Sequence, residues 1–185
     1  KLSASISPLA HEAFHAQSFE TIRARGSSEY PGSKMGAITL VRQTLADAPF
    51  QSDTATPNGS SIALLAEFAG KSVLLAADAH APVLETSIRR LLAQRRKPRL
   101  KVSAFKVSHH GSRSNVSRAL VELLDCQHYL ISTNGSRFHH PHREAIARIV
   151  TCGGPRPVLH FNYETDENRP WADPALQEQY GYRAQ

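Results

Sequence analysis

Beyond Asn58 the chain alternates between short apolar or β-branched runs and stretches whose apolar residues recur at helical spacing, and this alternation constrains the fold more than any other feature. Ser61 to Phe68 and Ser72 to Ala77 read as two strands joined by a tight hairpin at Ala69-Gly70-Lys71. Val83 to Ala93 is a helix, with Leu84, Ile88, Leu91 and Leu92 on one side. Leu100 to Val107 is a strand, Asn115 to Leu124 a helix, and Tyr129 to Ser132 a strand. Pro141 opens a further helix whose Ile146, Ile149 and Val150 face inward, and Pro157 to Phe161 is the last strand. Such an order predicts a layered α/β architecture. Before Pro57 the text is broken by Ser, Gly, Pro and Thr clusters, with one expected strand from Ala37 to Gln43.

The chemistry-bearing residues fall at the ends of these strands. Asp78-Ala79-His80 follows the second strand, His109-His110-Gly111-Ser112 the third, and Asn134-Gly135 with His139-His140-Pro141-His142 the fourth. Sites in α/β sheets gather where strands end, because loops there aim side chains at one another while the sheet holds them. Carboxylate and imidazole together suit zinc, manganese or iron. Each cluster also has an ordinary explanation. Asp78 could cap the following helix, the paired histidines could form a polar turn, and His139, His140 and His142 could sit at an exposed helix start. Three such clusters at successive strand ends argue for a site.

Two further patterns compete for attention. His11-Glu12-Ala13-Phe14-His15 is a HExxH string, which on a helix sets two imidazoles one turn apart with a general base between them, as in a zincin protease. No third ligand is marked after His15, and an ordinary amphipathic helix accounts for it as well. The second pattern is basic. Arg89, Arg90, Arg95, Arg96, Lys97, Arg99 and Lys101 place seven of the 22 Lys and Arg residues within 13 positions, against 16 Asp and Glu in the whole chain. It reads as a solvated helix face or, with Arg95, Arg96, Lys97 and Arg99 as the contacts, as a nucleic-acid-binding run beside the proposed site.

Composition narrows the classes. At 41% hydrophobic and 21% charged the chain is a globular protein of about one domain's length. It has no apolar run near the ~18 residues of a membrane span and no signal-peptide layout in its first 20 residues. Its two cysteines lack CxxC spacing, so a reducing, cytoplasmic setting is expected.

The segments Asn58-Gly59-Ser60-Ser61-Ile62-Ala63-Leu64-Leu65, Leu74-Leu75-Ala76-Ala77-Asp78-Ala79-His80, Lys106-Val107-Ser108-His109-His110-Gly111-Ser112 and Ser132-Thr133-Asn134-Gly135, followed by His140-Pro141, carry a resemblance. Over about Asn58 to Tyr163 the chain resembles the C-terminal half of a metallo-β-lactamase-fold hydrolase of the competence-type DNA-uptake branch. It is similar, more distantly, to members of that branch associated with proteases in antiphage defence. The resemblance implies the C-terminal half of an αββα sandwich and a site for two divalent metal ions, zinc or manganese, about 3.5–4 Å apart. Asp78 would bridge the ions, and either His109 or His110 would be the last histidine ligand. His140 would lie at the scissile phosphate as proton donor or phosphate ligand, and His80, Ser112 and Asn134 would orient these groups.

The departure from that family is large. Its HxHxDH ligand string should stand upstream of Asn58, and residues 1–57 contain none. A catalytic zinc usually has three protein ligands, so the chain by itself is expected to be inactive. It opens on Lys1, and its one methionine is Met35. The expectation is therefore an N-terminal half, cut away before Lys1 or supplied as a separate chain, with residues 1–57 as linker and edge segment and 58–185 as the C-terminal half-domain. Its expected partners are that N-terminal fragment, a nucleic-acid substrate and a processing protease, with no membrane. The reading from another class is a degenerate, non-catalytic binding or regulatory module.

Overall fold

A computed structural model describes residues 42–185. The HExxH string at residues 11–15 and most of the expected strand at 37–43 lie outside the described residues. Residues 42 and 43, assigned to that strand, are helical.

After a helical stretch at residues 42–46, the described elements run α1 (Thr56–Gly59), β1 (Leu64–Phe68), β2 (Lys71–Leu75), α2 (Ala81–Arg95), β3 (Leu100–Lys106), α3 (Arg118–Glu122), β4 (Leu124–Ile131), α4 (Arg143–Cys152), β5 (Val158–Phe161), α5 (Pro174–Tyr180) and β6 (Arg183–Ala184). Short 3₁₀ turns stand at Ser108–Gly111 and Arg169–Ala172. The six described strands form one sheet in the order β1-β2-β3-β4-β5-β6. The α/β architecture is as expected.

The hairpin follows from its two-residue loop. Phe68 pairs with Lys71, and Ala69 and Gly70 both take positive φ, of 46° and 74°, as a loop matched to strand twist requires. From β2 onward every neighbouring pair is parallel. Parallel neighbours need crossovers, and α2, α3 and α4 supply them. Since the crossovers are right-handed as a rule and all step the same way across the sheet, the three helices share one face. Phe105, Tyr129, Leu159, Leu120, Ile146 and Ile149 are fully buried in the resulting core, each such side chain contributing about 1.5–3 kcal/mol. The hairpin, by contrast, keeps Leu64, its cross-strand partner Leu75, and Phe68 exposed.

Several boundaries differ from expectation. The helix expected over Asn115 to Leu124 is only Arg118–Glu122, capped by Ser117, whose hydroxyl accepts from the Leu120 N–H. Leu124 belongs instead to β4, which is twice the expected length. Pro141 stands before α4 rather than in its first turn: it follows a cis peptide bond, and His142 is the N-cap. Phe161 does not end the sheet, because β6 adds a further strand beside β5.

Residues 42–57, part of the expected linker and edge segment, pack against this fold. Ala46 is buried, and Arg148, itself 2% exposed, donates from α4 to the carbonyls of Ala48, Arg113 and Val116 at 3.1, 2.7 and 2.8 Å. Its guanidinium lies 5.4 Å from the centre of the Phe50 ring.

Candidate metal and catalytic site

Because β2, β3 and β4 are adjacent and parallel, their C-terminal ends lie at one edge of the sheet, and the three clusters meet there. The His109 ring centre is 6.1 Å from that of His110 and 5.1 Å from that of His140. His110 and His140 stack with centres 6.4 Å apart. His110 Nε2 is 3.9 Å from Asp78 Oδ1.

The turn that carries the paired histidines is backbone-strained. His109, His110 and Gly111 all have positive φ, at 44°, 56° and 85°. Two successive non-glycine residues in the left-handed region cost roughly 1–2 kcal/mol each. The His109 N–H donates to the Ala77 carbonyl at 2.8 Å and the His142 N–H to the Gly111 carbonyl at 2.9 Å, so the turn is strapped to both neighbouring strand ends. Gly111 is required by space as well as by φ: a Cβ there would stand 2.7 Å from Pro141 Cβ.

Hydrogen bonds assign the imidazole tautomers. The Asn115 amide nitrogen donates to Asp53 Oδ2 (3.0 Å) and to the carbonyls of Asp78 (3.2 Å) and Ala79 (3.3 Å), so its oxygen, 3.1 Å from His109 Nδ1, must accept. His109 therefore carries its proton on Nδ1. His110 Nδ1 bonds to the Ser132 carbonyl, which can only accept, and so is protonated likewise. In the neutral ring this leaves Nε2 as the lone-pair nitrogen of both residues, the form a metal ligand needs.

Asp53 is the residue that sequence reasoning missed. Its carboxylate accepts from the Ala55 N–H at 2.8 Å and the Asn58 amide at 2.7 Å, besides Asn115, and lies 3.5 Å from His109 Nδ1 and 3.9 Å from His80 Nε2. Partial burial works to raise its pKa, but the Ala55, Asn58 and Asn115 hydrogen bonds and the field of His80 outweigh that and hold it at about 2. Asp-Thr-Ala ahead of a short helix reads locally as a turn, and no local signal marks its partner 62 positions away.

The remaining expected residues separate into those at the cluster and those beside it. Asp78 is not a helix cap: His80 occupies the N-cap of α2, without a side-chain bond. The carboxylate instead faces His110 and acts electrostatically on Lys106, whose pKa burial lowers and Asp78 raises. Burial, with the electrostatic influence of the neighbouring His142, His109 and His110 rings adding to it, pushes His140 down to about 4. At neutral pH it is a neutral imidazole, with one nitrogen to donate a hydrogen bond and the other to accept one, and does not act as a cation. His80 turns away, with Nε2 3.1 Å from the Ala55 carbonyl, and braces the turn at Gly59. Ser112 is buried and accepts from the Ser114 N–H, shaping the histidine turn. Asn134 is exposed and bonds within its own loop, to Ser136. His139 pairs with Glu167 at 3.0 Å.

The basic run does not abut this site, contrary to expectation. Helix α2 begins at the histidine edge and runs back across the sheet, so Arg95, Arg96, Lys97 and Arg99 stand where β3 begins, not where it ends. Seven residues of strand at about 3.3 Å each separate the two edges by roughly 20 Å. Arg95 is also neutralised by Glu67, at 2.9 and 2.7 Å.

The donor chemistry of Asp78, His109 and His110 fits a divalent transition metal, but the number of donors falls short. Among the described residues no three His, Cys, Asp or Glu side chains stand together closely enough to hold an ion.

The fold and site define an α/β protein with a carboxylate and histidine cluster at the C-terminal edge of a largely parallel sheet. Over 100 residues the chain is 29% identical to ComE operon protein 3 of Bacillus subtilis (strain 168), a match spanning 54% of this chain and 12% of that protein's length. The match thus spans only about an eighth of that protein's length. No family model matches, and no solved structure matches. No helix among the described residues is long and apolar enough to cross a membrane.

Proposed function

We propose that this chain is the C-terminal part of a metal-dependent hydrolase of the metallo-β-lactamase fold, acting on the phosphodiester bonds of nucleic acid. The observation that carries the reading is the convergence, from three adjacent strand ends, of Asp78, two histidines with free Nε2 lone pairs, and the neutral His140. Asp78, with either His110 or His109, would supply part of the ligand set of a zinc or manganese pair. The remaining ligands would come from an N-terminal part bearing HxHxDH, and the exposed apolar side chains of the β1–β2 hairpin suit contact with such a partner. When bound, two such ions supply Lewis-acid charge at the phosphodiester. His140 contributes a single hydrogen bond, to a phosphate oxygen or a leaving group, from a pocket that keeps it uncharged. Asn115, backed by Asp53, holds the His109 ring and its tautomer. Proteolytic separation of the two parts, in a setting such as antiphage defence, would then control activity.

The test is cleavage of DNA and RNA by the chain combined with its N-terminal part, in zinc or manganese. Asp78→Ala should reduce cleavage by at least about 10³-fold, and undiminished cleavage would refute the assignment. The lack of three converging ligands among the described residues favours a second reading, a non-catalytic binding module. It predicts no cleavage by the wild-type pair in any metal.

A further inference from the structure

The edge of the sheet opposite the histidines gathers cations without partners. Arg96 and Lys97 follow α2, Arg99 and Lys101 enter β3, Lys71 opens β2, and Arg156 immediately precedes Pro157 at the start of β5. All except the half-buried Arg99 are exposed, and none forms an ion pair among the described residues. The carboxylates nearby are largely accounted for: Glu67 is bound by Arg95 and Glu122 by Arg118, leaving Asp125, which stands opposite Lys101 in the strand register. Lys71 and Lys101, with Ser103, line one open depression of about 440 Å³ beside the hairpin turn. Arg96 holds a left-handed backbone, φ 52°, at a helix C-terminus, where glycine is the unstrained choice.

We infer that this edge is a second polyanion-binding surface, an exosite that grips the nucleic-acid backbone roughly 20 Å from the histidine cluster. The naming of nucleic acid as the polyanion rests on the functional reading above. The geometry adds what that reading lacks: contact at both edges requires a substrate long enough to bridge them, about six base pairs at one phosphate step per 3.4 Å along a strand. Short dinucleotides would reach the histidine edge alone.

The experiment measures binding of a fluorescent 20-base-pair DNA to the full 185-residue chain by anisotropy, in EDTA and across 50–200 mM salt. Because no divalent metal is present, the result does not depend on cleavage, and the functional reading fails separately if the assembled pair cleaves nothing. The double variant Arg96→Gln/Lys97→Gln should bind about 10-fold or more weakly, with a log–log salt slope shallower by about two. Arg137→Gln/Arg143→Gln, at the histidine edge, should bind within about twofold of wild type. Equal binding and equal salt slope in the Arg96/Lys97 variant overturns the inference. So does a loss confined to the Arg137/Arg143 variant, or binding to phosphatidylglycerol vesicles with none to DNA.

Discussion

The Asn115 carboxamide oxygen lies 3.1 Å from His109 Nδ1, while the nitrogen of the same amide spans Asp53, Asp78 and Ala79. One side chain thereby joins the segment before β1, the end of β2 and the histidine turn, and it decides which imidazole nitrogen is free to act. Asn115→Leu should let His109 populate both tautomers and should destabilise the chain by about 2–3 kcal/mol, since the Asp53 carboxylate loses a bond while still half-buried. Two-bond ¹⁵N–¹H correlation of the histidine rings reads this directly. Wild-type His109 should show the Nδ1–H pattern, and an Nε2–H pattern there would contradict the assignment.

Gly111 tests the turn from the backbone side. Gly111→Ala sets a Cβ 2.7 Å from Pro141 Cβ on a residue with φ of 85°. A loss of about 2–4 kcal/mol in urea unfolding is expected, with shifted ring resonances of His109, His110 and His140. A variant as stable as wild type with unchanged resonances would show that the turn tolerates a side chain.

Acid should weaken the metal-free chain in two steps. The native state holds His140 at about 4 against an ordinary 6.5, so between those values the unfolded chain binds more protons and stability falls as pH drops. The step is at most about 3 kcal/mol. His142 and His160 are lowered too, chiefly by burial, and act in the same direction. Asp53, held at about 2 against 3.8, contributes stability that is intact above pH 3.8 and lost as pH falls through 2. Urea midpoints at pH 7.5, 5.5 and 4.5 should decline steadily, and less so in His140→Gln. A flat profile in wild type would contradict this.

Arg148 is the polar centre of the helical layer. Arg148→Met leaves the carbonyls of Arg113, Val116 and Ala48 without their donor, for an expected cost of about 2–4 kcal/mol in thermal or urea unfolding. A loss below about 0.5 kcal/mol would mean that water replaces the guanidinium.

Cys126 should be inert in the native state. Burial drives its thiol pKa up to about 12, so at pH 8 almost no thiolate is present. Labelling by a thiol reagent should become fast only in denaturant. Rapid native labelling at Cys126 would show that the sheet opens there.

Much of this arrangement is legible in the sequence, and the exceptions have physical causes. The strand ends carrying Asp78, His109 and His140 can be found because β-branched runs and the residues that terminate them are local signals. The α3–β4 boundary is not legible, because Leu120, Leu123 and Leu124 fit a helical period while Leu124 and Cys126 also fit a strand. Strand β6 has two residues and is defined by its pairing with β5, which no local pattern announces. Asp53 and Asn115 have ordinary turn-forming identities, and their roles come from contacts 62 positions apart. The basic run was visible, but its distance from the histidines depends on the direction in which α2 crosses the sheet.

Metal content of the chain assembled with its HxHxDH-bearing N-terminal part tests the central claim most directly. The account predicts about two zinc or manganese ions per assembled pair, falling by at least one in Asp78→Ala. A pair that assembles yet holds no metal would contradict it.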